Sequence, residues 1–175
     1  KPPTAQWTVT GAGVALLSDS GDGPCVTSAT IGRVIDMGMT DPFNMGGAMA
    51  PAAVDTIESH LTERNLDPSY YDLIVTGDLG HIGREVSLDL FKKHGTSIRE
   101  EQYQDCGLMI YREGQPVLSG ASGPGCSATV VYGHLLNRMK KGEFKRILVV
   151  ATGALLSPLS FQQSETIPCI AHAVS

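Results

Sequence analysis

Several things are scarce or missing in this sequence, and each shortage removes a class of function. The four cysteines, Cys25, Cys106, Cys126 and Cys169, form no C-x-x-C pair. A structural zinc site is therefore not expected, and the cysteines read as reduced thiols of a cytosol-like compartment. No apolar run approaches the roughly 18 residues that a membrane span needs. Adjacent basic residues go no further than Lys140-Lys141, and the formal net charge is −5, so a nucleic-acid footprint is not expected. No secretory leader pattern is visible, and Lys1-Pro2-Pro3 reads as the start of a fragment or of a mature chain.

What is present suits one domain, or one half of a larger unit: 175 residues, 42% apolar and 18% charged. Segments 7–17 (WTVTGAGVALL) and 26–36 (VTSATIGRVID) are rich in β-formers and are separated by the turn SDSGDGPC. Ala50, Val54, Ile57 and Leu61 fall on one helical stripe within 46–65. YDLIVTG (71–77) predicts a short buried strand, and 84–94 a helix with Val86, Leu90 and Phe91 inward. DCGLMIY (105–111) is expected to be the next strand. Ala128, Val131, Leu135 and Met139 give a further helix its apolar face, with Arg138, Lys140 and Lys141 at its carboxyl end and Gly142 near its cap. RILVVATG (146–153) and IPCIAHAV (167–174) predict two closing strands. This alternation implies a mostly parallel α/β sheet with helices on both faces. If 154–166 is a loop, the last strand is antiparallel.

The stretch GASGPGCSATVVYGHLL (120–136) places three glycines and a proline directly before a helix. Gly123-x-Gly125-x-x-Ala128 fits a relaxed dinucleotide fingerprint, but no acid stands at the end of the following strand to hold a ribose. Cys126 in a first helical turn would have the dipole of a nucleophile's site, but no motif places a base beside it, and a packed inert thiol is the plainer expectation. Two readings stay open. The turn is a seat for an anion, built from first-turn amides with the Ser127 hydroxyl. Alternatively it is an ordinary cap, with Ser122 or Gly123 capping and Pro124 at the first helical position. A second spot is VTGDLGHIG (75–83), where Asp78 would project beyond a strand's carboxyl end, the edge at which open α/β sheets bind ligands. Asp78 and His81 are candidate polar groups there, and the alternative is a capping aspartate and a solvated histidine. His60, His94, His134 and His172 read as helix-surface or core residues.

TDPFNMGGAMAPAAVDTIESHL (40–61), YDLIVTGDLG (71–80), DCGLMIY (105–111), RILVVATGALLSP (146–158) and IPCIAHAV (167–174) together resemble the stage V sporulation protein AD family of spore-forming bacteria. That family is itself similar to the thiolase and ketoacyl-synthase superfamily, in which two alike halves each hold a five-stranded mixed sheet between helices. The resemblance implies a thiolase-like, three-layer α/β/α half whose last strand is antiparallel. It assigns 25–175 to a C-terminal half and 1–20 to the closing strand of a missing N-terminal half.

Condensing relatives take their nucleophilic cysteine from the first half. Their second half supplies a histidine after the strand matching 73–76 and an asparagine or histidine in the Gly-rich turn. Here Gly77-Asp78 and Gly123-Pro124-Gly125-Cys126-Ser127-Ala128 stand at those places, so the resemblance implies no condensing enzyme, with His81 as a displaced substitute the exception to test. It implies instead a non-catalytic protein that binds dipicolinic acid (pyridine-2,6-dicarboxylate), with calcium as a possible companion, for uptake in sporulation and release in germination. The expected ligand-binding residues are Asp78, His81, Gly123, Gly125, Cys126 and Ser127, with no catalytic residue, metal ligand or cofactor. The expected partners are the N-terminal half, the other stage V sporulation A membrane proteins and a second copy of the chain. The expected location is peripheral, on the spore inner membrane. A residual condensing or acyl-transfer enzyme and a plain scaffold are the alternatives.

Overall fold

The computed structural model describes residues 1–175. Seven strands and six α-helices follow one another as β1 (Trp7–Thr8), β2 (Ala29–Ile31), α1 (Met45–Glu63), β3 (Leu73–Thr76), α2 (Gly80–His94), β4 (Tyr103–Asp105), α3 (Cys106–Met109), β5 (Ala121–Ser122), α4 (Pro124–Val130), α5 (Leu136–Lys140), β6 (Ile147–Ala154), α6 (Pro158–Gln162) and β7 (Cys169–Val174). A π turn, Val131–Leu135, joins α4 to α5 in one continuous rod.

Five strands form the main sheet in the order β2-β7-β6-β3-β4. β3 runs parallel to both β4 and β6, whereas β7 is antiparallel to β6 and to β2. The expected antiparallel closing strand is therefore present, and the short α6 stands inside the segment read as a loop. Alternate β-strand side chains point to opposite faces, and two apolar clusters result. Ile74, Leu148 and Val150 meet Ala53, Ile57 and Leu61 of α1 and Phe91 of α2 on one face. Leu73, Val75 and Ile147 meet Cys126, Val130, Val131 and Leu135 on the other. The result is three layers, helices on either side of a mixed sheet. The α1 stripe is buried along its whole length, and α1 crosses α2 through Gly46 and Gly83, where a β-carbon at 83 would lie 2.5 Å from the Gly46 carbonyl oxygen.

Two strand expectations need correction. Residues 105–111 are not a strand: the strand ends at Asp105, and 106–109 turn into α3. The cause is Asp105 itself, whose carboxylate caps α3 by accepting the Gly107 N–H at 2.9 Å. Residues 7–17 form a strand only at Trp7–Thr8, which pairs with Ala121–Ser122 apart from the main sheet. Beyond Val9 the chain leaves the sheets, and Val14, Leu16 and Leu17 stand exposed. The 26–36 strand is shorter than its pattern too, covering 29–31 with one further bridge from Ile35 to Cys169.

At the amino edge of the sheet, Asp72 clasps the approach to β6, accepting the N–H groups of Lys145 at 2.6 Å and Arg146 at 2.9 Å. The Arg146 and Lys145 amides hold its carboxyl below the usual range. A depressed folded-state value contributes stability above the unfolded value of about 3.9 and loses it as pH falls through the folded one. Asp72→Asn is thus expected to be less stable than the parent at neutral pH. The gap should close in acid below about pH 4, as read by urea melts across pH. A gap that persists unchanged into acid would refute this.

Candidate functional site

The sequence brings its polar groups together at the carboxyl edge of β3 and β6. β3 is a run of four buried residues, Leu73–Thr76, followed by Gly77, where a side chain would be crowded. A β-carbon at 77 would lie 2.9 Å from the Thr152 hydroxyl oxygen. Asp78 then leaves the strand end, as its position predicts. One carboxylate oxygen accepts the Gly123 N–H at 2.8 Å, and the other accepts the Thr152 hydroxyl at 2.9 Å. Burial raises the Asp78 carboxyl above its ordinary value, opposed by those two donors.

The Gly-rich turn is the second wall. Gly123 sits at φ +101°, a conformation open to glycine, and caps α4 with Pro124 at the first position. Its amide is already taken by Asp78. Pro124 has no N–H, and the Cys126 N–H is given to the Gly123 carbonyl at 3.0 Å. Among these four residues only the Gly125 N–H has no acceptor in the chain. Gly125 itself is dictated by packing: a β-carbon there would come 2.5 Å from the Gly11 carbonyl oxygen, because segment 9–13 crosses the first turn of α4. The turn is therefore both a cap and a crossing point. What it leaves toward a ligand is one free amide and the Ser127 hydroxyl, which makes no hydrogen bond.

Residues 5–9 strap this edge together. The Gln6 side-chain amide donates to the carbonyls of Asp78 at 2.7 Å and Ala121 at 2.6 Å, and the Trp7 and Val9 N–H groups bind the Gly120 and Ser122 carbonyls.

Asp105, which the sequence reading placed at the start of a strand, holds the floor. Fully buried, its carboxylate accepts the Thr76 hydroxyl at 2.6 Å and the N–H groups of Leu79, Gly80 and Gly107, each at 2.9 Å. Burial pushes its carboxyl up to about 6, opposed by the Thr76, Leu79 and Gly80 donors. The signal for it was available as an Asp-x-Gly pair at a strand end, the pattern of a helix cap. Nothing local announced Thr152 or Gln6.

The other sequence-derived candidates divide. Asp78, Gly123, Gly125 and Ser127 share this edge. Cys126 is fully buried in the core beneath it, and burial pushes its thiol up to about 12, which fits the inert reading. His81 is not brought into the cluster by any hydrogen bond of its ring. It stands exposed on the first turn of α2, tied down by its backbone N–H to the Ser119 carbonyl at 2.7 Å. His60 is the buried histidine, held between Thr30 and Tyr71 at 2.8 and 2.7 Å. No group of three or more histidine, cysteine, aspartate or glutamate side chains is placed to hold a metal ion, and no helix is long and apolar enough to cross a membrane.

The family model described as stage V sporulation protein AD matches residues 1–175. The chain is also 49% identical over 174 residues to a curated protein of Bacillus subtilis (strain 168) named stage V sporulation protein AD; the match covers 99% of this chain and 51% of that protein. The chain thus spans about half the length of the curated relative it matches.

Proposed function

Because the chain belongs to the stage V sporulation protein AD family, we propose that it is part of a non-catalytic binding protein for dipicolinic acid, associated peripherally with a membrane complex that moves dipicolinate and calcium during sporulation and germination. The observation that carries the proposal is the family match along the whole chain. The site supports it in detail. At the carboxyl edge, the Gly125 N–H and the Ser127 hydroxyl are donors without acceptors, beside a carboxylate whose charge is already engaged by Gly123 and Thr152. One carboxylate of a flat dianion suits two such donors, which act with little basic charge. Asp78 would repel the other carboxylate unless calcium bridges the two. The chain forms one thiolase-like half: the five-stranded sheet with its antiparallel closing strand and helices on both faces supports that assignment, and residues 1–20, although tied to this half through Gln6, Trp7 and Val9, are read as the closing strand of the other. Activity of the condensing type is disfavoured because Asp78 stands where a catalytic histidine is expected and no asparagine occurs in 120–128.

The test is titration calorimetry of the full-length protein with dipicolinate, with and without calcium, beside a turnover assay on acetyl- and malonyl-thioesters. Saturable dipicolinate binding that Ser127→Ala weakens, with no thioester turnover, is the expected result. Turnover that His81→Ala abolishes would replace binding with residual catalysis, and absence of dipicolinate binding would leave a scaffold.

A further inference from the structure

The amino edge of the sheet, at the opposite end from Asp78 and the Gly-rich turn, carries a concentration of positive charge that the site does not use. Five of the 13 lysines and arginines fall within 138–146, between the end of α5 and the start of β6, in a chain of net charge −5. The two arginines are already engaged. Arg138 pairs with Glu143 at 2.7 Å and lies over the Phe144 ring, and Arg146 lies over the Tyr70 ring and donates to the Tyr70 carbonyl at 2.9 Å. Lys140, Lys141 and Lys145 are exposed, and none of their ammonium groups has an acidic partner.

Lys140 stands between two open grooves. One, of about 660 Å³, is lined by His134, Asn137, Arg138, Lys141 and Glu143 without an apolar side chain. The other, of about 550 Å³, is lined by Lys145 and Asp22 among others. Of the acids nearby, Glu143 is neutralised by Arg138, and Asp72 is turned to the backbone amides of 145 and 146.

We propose that this lysine-rich amino edge, centred on Lys140, Lys141 and Lys145, docks the protein onto an anionic phospholipid surface, leaving the Asp78 edge facing away from the bilayer. The occupied groups are the arginines, whose planar fork suits bidentate pairing with carboxylates on a protein partner. The free ones are lysines, compact hydrated charges on flexible stems that suit diffuse attraction to a charged plane. The proposal rests on the peripheral-membrane part of the function above and not on its ligand.

Co-sedimentation of the full-length protein with vesicles tests it, using phosphatidylcholine alone or with phosphatidylglycerol, at low and high salt. Binding is expected only to the anionic vesicles, and salt should weaken it. The Lys140→Glu/Lys141→Glu/Lys145→Glu variant should partition about a hundredfold less, while Arg112→Glu, beyond the opposite edge of the sheet, should bind like the parent. Circular dichroism and dipicolinate calorimetry on the triple variant establish that it is folded and separate this proposal from the ligand reading, since neither depends on the lysines. Equal binding to neutral and anionic vesicles, or an unaffected triple variant, overturns the proposal. So does a triple variant that keeps vesicle binding but loses co-purification with an acidic protein, which would assign the face to a protein partner.

Discussion

An Asp105→Asn variant is expected to lose about 3 kcal/mol of stability at neutral pH, from charge-assisted hydrogen bonds of about 1.5–3 kcal/mol each and the orphaned donors left behind. The Asp105 carboxylate fills all its acceptor positions. One oxygen takes the Thr76 hydroxyl and the Leu79 N–H, and the other takes the N–H groups of Gly80 and Gly107. An asparagine amide has one acceptor oxygen, and its NH2 must face at least one backbone N–H. Turned toward the first pair, it faces Leu79, because only the Thr76 hydroxyl can rotate to accept. Turned toward the second pair, it faces both Gly80 and Gly107. The donors are fixed in the fold and buried, so no water relieves them. In a chain of this size the loss corresponds to roughly 10 °C in melting temperature. Thr76→Val removes one of the four donors and should cost about 1 kcal/mol. Urea melts of the three proteins read the difference. An Asp105→Asn variant within about 1 kcal/mol of the parent would mean that the carboxylate is not the clamp described. Because Asp105 ties the end of β3 to α2 and α3, its loss should also disorder the 77–80 turn and with it the seat at Asp78.

Periodicity alone marked most of the layers. The α1 stripe, the apolar β3 run, Ile147, Leu148 and Val150 of β6 and the face at Val131 and Leu135 are buried as their spacing requires, whereas Ala151 of β6 is exposed. The misreadings came from residues whose role is set by partners distant in the chain. Leu108, Met109 and Ile110 look like a buried strand, and only the four donors collected by Asp105 explain why the chain turns into α3 instead. Trp7, Val9, Val14 and Leu16 alternate like a strand, but pairing stops at Thr8 with Ala121–Ser122 as the only partner. At the site, the strand-end rule found Asp78. It could not show that the carboxylate closes on the Gly123 amide, 45 residues later. The glycine turn looked like an anion seat because three glycines exceed what a cap needs. Its excess is accounted for by contacts no local pattern reveals: the crossing of Gly11 over Gly125, and Gly120 at φ +119° against the Gly107 carbonyl.

The same substitution at the half-buried carboxylate of Asp78 should behave in the opposite way. Asp78 receives only two donors, one from each side. In Asp78→Asn the side-chain oxygen can keep the Gly123 N–H, and the NH2 can donate to the Thr152 oxygen once that hydroxyl rotates. Both hydrogen bonds survive and the partly desolvated charge disappears. Burial raises the Asp78 carboxyl as it raises that of Asp105, so ionisation works against the fold at both. What differs is that asparagine keeps both partners at 78, so here the pH-dependent contribution, which grows as pH rises through the raised value, is not outweighed by orphaned donors. The variant is therefore expected to match or slightly exceed the parent's stability at neutral pH and to lose that part of its pH dependence. Its ligand binding should split. Free dipicolinate should bind as well as to the parent or more tightly, because a like charge has been removed from beside its carboxylate. The calcium chelate should bind about tenfold more weakly or worse, having lost a charged partner worth about 1.5–3 kcal/mol. Calorimetry with and without calcium on the full-length protein reads both arms. If the two ligands weaken together, Asp78 acts by holding the Gly123 turn rather than by its charge. If neither changes, dipicolinate is not bound at this edge.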